Sequence, residues 1–215
     1  MPKTLNIKKT VLFSIVFIIL MFTISIYFYP QLPNPMASHW NSAGEVNGYM
    51  TKLLAVFLLP IISIGVFLLL YFIPYIDPKK ENIDSFRCYY DWMIFALLFY
   101  LLYVHILTLL PNLGINLNIS AAIIGGVGVL FYFIGSIMPK MKQNWLIGIR
   151  TPWTLSSEKV WDKTHKQGGV VFRIIGVLSG FGLFFGKYGI WFLLISTLLG
   201  IVYLFAYSYL EYKRL

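Results

Sequence analysis

Six apolar runs, at about residues 11–29, 53–73, 92–110, 120–138, 170–185 and 190–209, are joined by segments that are basic on every second occasion. A membrane-spanning helix needs about 20 consecutive apolar residues, so each run approaches spanning length, with 170–185 the shortest. If the N-terminus lies inside, then Lys3, Lys8, Lys9, Lys79, Lys80, Arg87, Lys140, Lys142, Arg150, Lys159, Lys163, Lys166, Arg173, Lys213 and Arg214 are all inside. Of the 17 Lys and Arg residues only Lys52 and Lys187 fall outside. Positive charge accumulates in cytoplasmic connections, and losing any one span would destroy the alternation. The pattern therefore predicts an all-α integral membrane protein, a six-helix transmembrane bundle with both ends inside. Barrel strands would alternate apolar and polar residues over about ten positions, and these runs do not.

Composition agrees. Hydrophobic residues make up 59% and charged residues 12%, against roughly a quarter charged in soluble domains. The net charge of +9 is spread over short connections, as expected beside anionic lipid, so membrane lipids rather than nucleic acid are the expected partners. A single cysteine, Cys88, excludes an intramolecular disulfide framework and a cysteine-rich metal site. The first run exceeds a usual signal-peptide core and meets no small-residue cleavage site before Tyr29-Pro30-Gln31-Leu32-Pro33, so it reads as a retained helix. Pro60 should kink the second run and Pro74 should end it.

Three segments follow: an N-terminal helix pair, 1–76, with an external loop at 30–52; a central linker and third span, 77–119; and a C-terminal segment, 120–215, with a cytoplasmic loop at 139–169. In that loop, Thr151 before Pro152 predicts extended backbone. Ser156 or Ser157 can then cap a short helix with Glu158 in its first turn. Val160, Trp161, Thr164 and His165 share one helical face, and Lys159, Asp162, Lys163 and Lys166 the other. This predicts a short interfacial helix with its aromatic side at the acyl boundary, where Trp145 and Trp153 would also lie.

The string from Ile147 to His165, continuing through Gly168-Gly169 and the last two spans, resembles the signature of the SdpI family, immunity proteins of spore-forming bacteria. Tyr29 to Pro33 with His39, Trp40, Asn41, Gly44 and Lys52 is similar to the small domain that often precedes it. The resemblance implies a multi-pass protein of a bacterial cytoplasmic membrane that protects against a secreted peptide toxin and holds a cognate ArsR-type repressor at the membrane. It implies two sets of binding residues: Asn144, Gly148, Arg150, Thr151, Pro152, Trp153, Trp161 and His165 for a cytoplasmic partner, and Pro33, His39, Trp40, Asn41, Gly44 and Lys52 for an external ligand.

Single residues admit two readings. Arg150 either contacts a partner or lipid headgroup, or ties its loop to helix-end carbonyls. His165 is either a switch near neutral pH or an interfacial residue beside Trp161. His105, in mid-span, is either functional or a neutral histidine bonded to a neighbouring helix. His39, Asn41 and Glu45 are too few for a confident metal site and read better as a structured turn. Gly125, Gly126 and Gly128 lack phosphate-loop context and read as helix-packing residues. No serine elbow, Cys–His pair or metalloprotease motif occurs, so neither an enzyme nor a cofactor is expected. The alternative is a small transporter or lipid-binding membrane protein, with His105 and Asn112 marking a path or Arg150 holding a headgroup.

Overall fold

A computed structural model describes residues 7–215. Lys3 lies outside the described residues, and the side chain of Lys8 is not described. The helices are α1 (Ile7–Phe28), α2 (Lys52–Ile76), α3 (Lys80–Ser85), α4 (Arg87–Leu109), α5 (Ile119–Ile137), α6 (Pro152–Ser156), α7 (Glu158–Gly182) and α8 (Gly189–Lys213). Two strands, β1 (Met36–Trp40) and β2 (Val46–Met50), pair antiparallel between α1 and α2. Among the described residues, five stretches are long and apolar enough to cross a membrane: Lys9–Gln31, Lys52–Ile76, Arg87–Leu113, Ile119–Lys140 and Glu158–Lys213. The last, 56 residues long, contains both α7 and α8. Between them Gly186 breaks helical geometry at φ 53°, a backbone that favours glycine.

The structure departs from the sequence reading in four places. α2 continues through Pro60 and Pro74 to Ile76, so Pro74 does not end it. α4 begins at Arg87 rather than near residue 92, which brings Asp91 into the helix. Asp91 is fully buried and accepts a hydrogen bond from Arg87 Nε at 3.0 Å, so the charge is offset by a partner one turn away. The external loop is a hairpin and not only a turn. The short interfacial helix does not exist separately: its residues form the first turns of α7, which runs unbroken into the fifth apolar run.

Gly168 and Gly169 sit inside α7 at its close crossing with α5. A Cβ on Gly169 would lie 2.7 Å from Gly135 O, and one on Gly128 would lie 2.9 Å from Gly176 O. Glycines seven apart on α5 thus face glycines seven apart on α7. Small residues let the backbones meet, the usual route to helix association where lipid removes the hydrophobic drive. The main core cluster joins Phe67, Leu70 and Ile73 of α2, Tyr90, Ile94 and Leu98 of α4, and Ile137, Met138, Met141 and Ile147. A smaller one, Leu32, Met36, Val56 and Leu109, lies under the hairpin.

Candidate functional site

The helices present two built ends. One carries the β-hairpin, the cap; the other carries residues 138–157 and the start of α7, the platform. α2 starts at the cap and ends at the platform, 25 residues on, or about 37 Å at 1.5 Å per residue.

The platform is held by side-chain amides and carboxylates that satisfy its irregular backbone, as buried polar groups require. Asp77, 3% exposed, accepts from the amides of Trp145 at 2.9 Å, Leu146 at 3.1 Å and Lys79 at 2.7 Å. Asn144 Oδ1 accepts from Leu146 and Ile147, and its Nδ2 donates to Lys142 O. Gln143 donates to the carbonyls of Thr154 and Leu155 and accepts from Lys79 Nζ; Asn82 donates to Gln143 O. The 77–86 connection is therefore sewn to the signature segment. Asp77, Asn82 and Gln143 carry no local sequence signal for this role, because their platform partners lie 11 to 69 residues away.

Thr151 is extended, as Pro152 dictates, and forms a reciprocal capping box with Thr154 at the start of α6. It also donates to Ser208 Oγ of α8 at 3.0 Å. Trp153 packs on Phe205 and Tyr209, ring centroids 5.0 Å away in each case. Ser157 caps α7, its Oγ accepting from Val160 N. The helical-face reading holds: Val160, Trp161, Thr164 and His165 are all buried. They face protein, however, not the acyl boundary, and this corrects the expectation for Trp161 and His165. Trp161 Nε1 donates to Met141 O at 2.9 Å, and its ring stacks on His165 at 3.9 Å. His165 Nδ1–H donates to Trp161 O at 3.0 Å, and Nε2 accepts from Ile149 N at 3.0 Å, so the neutral ring is fully bonded.

Of the residues expected to meet a partner here, Asn144, Thr151, Trp161 and His165 are buried and hold the platform's shape. Gly148, Arg150 and Pro152 are exposed and Trp153 is half-buried. Arg150 donates from Nη1 to Trp145 O at 3.1 Å while its side chain stays at the surface. It ties the loop and still presents its guanidinium. Lys163, expected on the solvated face, pairs with the buried Glu211 of α8 at 2.5 Å, and Arg214 binds the same carboxylate at 2.9 Å.

At the cap, Asn41 makes the turn: its Oδ1 accepts from Ala43 and Glu45 amides, and its Nδ2 donates to Glu45 Oε2. Gly44 takes φ +84°, as a tight turn requires. His39 Nδ1 pairs with Asn47 Oδ1 at 2.5 Å, so His39 and the Asn41–Glu45 pair engage different partners. Lys52 Nζ donates to Tyr29 O at 3.1 Å and lies over its ring, and Pro33 is exposed. The hairpin is fastened to the bundle by Asn112, which accepts from Ala37 N at 2.8 Å and donates to Ala37 O at 3.0 Å, and by Ser120 Oγ, which donates to Asn41 O at 2.7 Å. Between hairpin and helices lies a cavity of about 370 Å³, lined by Ser38, His39, Trp40, Leu58, Thr108 and Ser120 among others. Thus His39 and Trp40 of the expected external set line one cavity, Asn41 and Gly44 form the hairpin turn, and Lys52 is held by Tyr29 at the start of α2. In mid-bundle, His105 is buried and bonded to Ser25 Oγ of α1 at 3.1 Å, the structural one of its two readings.

Both ends coincide with known sequence families. The SdpI/YfhL protein family matches residues 140–209, which begin at the platform, and a domain of unknown function, DUF1648, matches residues 16–64, which enclose the cap. The immunity protein SdpI of Bacillus subtilis (strain 168) is 31% identical over 210 residues, covering 97% of this chain and 98% of the relative. The chain belongs to the SdpI family. The resemblance of the signature and of the preceding small domain is thereby confirmed. No solved structure matches this SdpI-family chain.

Proposed function

We propose that this SdpI-family protein is a non-enzymatic immunity protein of a bacterial cytoplasmic membrane that gives resistance to a secreted peptide toxin. The observation that carries the reading is the end-to-end match to a protein named for immunity, 31% identical across 97% of the chain, so that cap, bundle and platform are matched together. In this reading the chain crosses the membrane six times, because α7 and α8 are separate helices of 25 residues each joined at Gly186. Both termini are inside, because only Lys52 and Lys187 of the 17 basic residues then lie outside.

The cap then faces the toxin. Its cavity under β1 offers an apolar floor with the hydroxyls of Ser38, Thr108 and Ser120, which suits an apolar peptide side chain with a polar neighbour. The platform faces the cytoplasm and holds an ArsR-type repressor through its exposed parts, Arg150, Pro152 and Trp153, on a frame fixed by Asp77, Asn144 and Thr151. The test is survival. A sensitive host expressing this chain and challenged with the peptide toxin should grow where the empty-vector host dies. Equal killing at verified membrane levels of the protein would reject the immunity reading.

A further inference from the structure

Arg173 is a cation on the apolar part of α7. It follows Lys166 by seven residues, about 10 Å along the helix, and its amide lies beside Gly135 of α5, inside the Pro139–Gly169 crossing. The side chain is exposed, and among the described residues no carboxylate pairs with it. Its Nε donates to Gly169 O at 3.0 Å, one turn nearer the charged end of the helix. The guanidinium therefore bends back toward the membrane surface, and among the described residues its two terminal nitrogens make no hydrogen bond. An arginine near a span end reaches for the headgroup layer in this way.

Arg173 also forms the wall of a groove of about 320 Å³ with Tyr132, Val170, Ile174, Val177 and Leu178. Ile174 and Val177 are about half exposed, so the groove opens to the side, toward lipid. The α5–α7 glycine crossing sets its depth: a Cβ on Gly176 would meet Tyr132 N at 2.9 Å, so the two backbones meet directly behind it.

We propose that this groove binds one anionic phospholipid, with the phosphate on the open face of the Arg173 guanidinium and an acyl chain along Ile174, Val177 and Leu178. A planar guanidinium matches two phosphate oxygens at once. An apolar channel leading away from it, toward the bilayer centre, suits the chain attached to that phosphate. Basic pockets between spans at a membrane surface hold acidic lipids on this principle. The inference does not depend on the immunity reading or on orientation, since the charged start of α7 meets a headgroup layer on either side.

The test uses the full chain, delipidated in detergent and titrated with dioleoyl phosphatidylglycerol, with bound lipid counted by native mass spectrometry. Losing one charge-assisted, two-pronged contact should weaken occupancy of the tightest site about tenfold in Arg173→Gln. Val177→Trp, which keeps the cation and fills the groove, should lose the same site. Lys159→Gln, an exposed cation outside the groove, should stay within about twofold. Retention by Arg173→Gln, or an equal loss in Lys159→Gln, would overturn the site. Displacement of the lipid by inorganic phosphate at matching concentration would show that the groove contributes nothing, and would overturn the proposal as well.

Discussion

Gly148 and His165 interlock: the backbone of Gly148, at φ +105°, leaves the space that His165 Nε2 fills, and a Cβ at Gly148 would collide with that nitrogen. The next amide, Ile149 N–H, donates to the same atom at 3.0 Å. A side chain at residue 148 is thus opposed twice, by backbone strain and by the ring. Gly148→Ala should cost about 1–3 kcal/mol from the left-handed backbone alone. It should also displace Trp161 from its stack on His165. Thermal unfolding in detergent measures the first effect and tryptophan fluorescence the second. Gly180→Ala is the control, since nothing lies within 4 Å of its added Cβ, and it should melt no lower than the wild type. A wild-type melting point for Gly148→Ala would show that the lock does not exist.

Asn112 fastens the cap by presenting its amide to Ala37 as a neighbouring strand would, donor to acceptor and acceptor to donor. Asn112→Leu keeps the branched heavy-atom shape and leaves both backbone groups of Ala37 without partners, a loss of about 1–3 kcal/mol for each group that stays buried. Amide exchange over 36–50 should accelerate, while exchange in α8 should not change. Unchanged protection of the hairpin would mean that Ser120 and the core beneath suffice to hold it.

The glycines of α5 divide by what they face. Gly135 meets backbone, with an added Cβ 2.8 Å from Gly169 O and 2.9 Å from Arg173 N, whereas at Gly125 the nearest atom is the mobile end of Leu183 at 3.6 Å. Backbone cannot step aside as a side-chain tip can. Gly135→Val should therefore destabilise by at least the roughly 1–3 kcal/mol typical of overpacking, and Gly125→Ala should be close to neutral. Similar melting points for the two variants would contradict the crossing.

Much of the fold is legible in hydropathy, because bilayer thickness fixes the length of a span: the run read as 120–138 is α5, Ile119–Ile137. The reading fails where a charge or a glycine is explained by something distant in sequence. Asp91 looks like the outside of a span until Arg87 is seen beside it. Gly168-Gly169 reads as the end of the 139–169 loop until Gly135 is seen opposite. Helical periodicity places Trp161 and His165 on one buried face, but an apolar face fits lipid and protein equally well. Only Met141 O and Ile149 N, in the folded loop, decide for protein. Asn112 lies 75 residues from Ala37, and no local pattern reports that bond.

Orientation can be read directly. Reporter fusions at Asn47, in β2, should report outside, and fusions at Lys142 and Arg214 inside, as the placement of Lys and Arg requires. A cytoplasmic signal at Asn47 would invert the cap and the platform together and remove the toxin from the cap. Agreement at Lys142 with disagreement at Arg214 would mean that α7 and α8 do not both cross.

The platform should separate shape from charge. Six basic residues lie from Lys140 to Lys166, and each near an anionic surface is worth about 1 kcal/mol, so charge alone draws this face to lipid without choosing a protein. Choice must come from the rigid part, where Arg150 is tied to Trp145 O yet remains exposed beside Pro152 and Trp153. Arg150→Ala removes that donor without opening the core, because the frame is carried by Asp77, Asn144 and Thr151. If the platform holds a repressor as proposed, this change should impair repressor-dependent output at an unchanged membrane level. Lys163 would be a poor control for charge, because its loss leaves the buried Glu211 with only Arg214. Lys159, exposed and outside the ion pairs of the described residues, is the better one. Lys159→Ala should leave output close to wild type. Membrane level by blotting, output from a repressor-controlled reporter and survival under toxin can be scored on the same strains. If Lys159→Ala silences the reporter as fully as Arg150→Ala at equal protein level, generic charge and not the shaped segment recruits the partner.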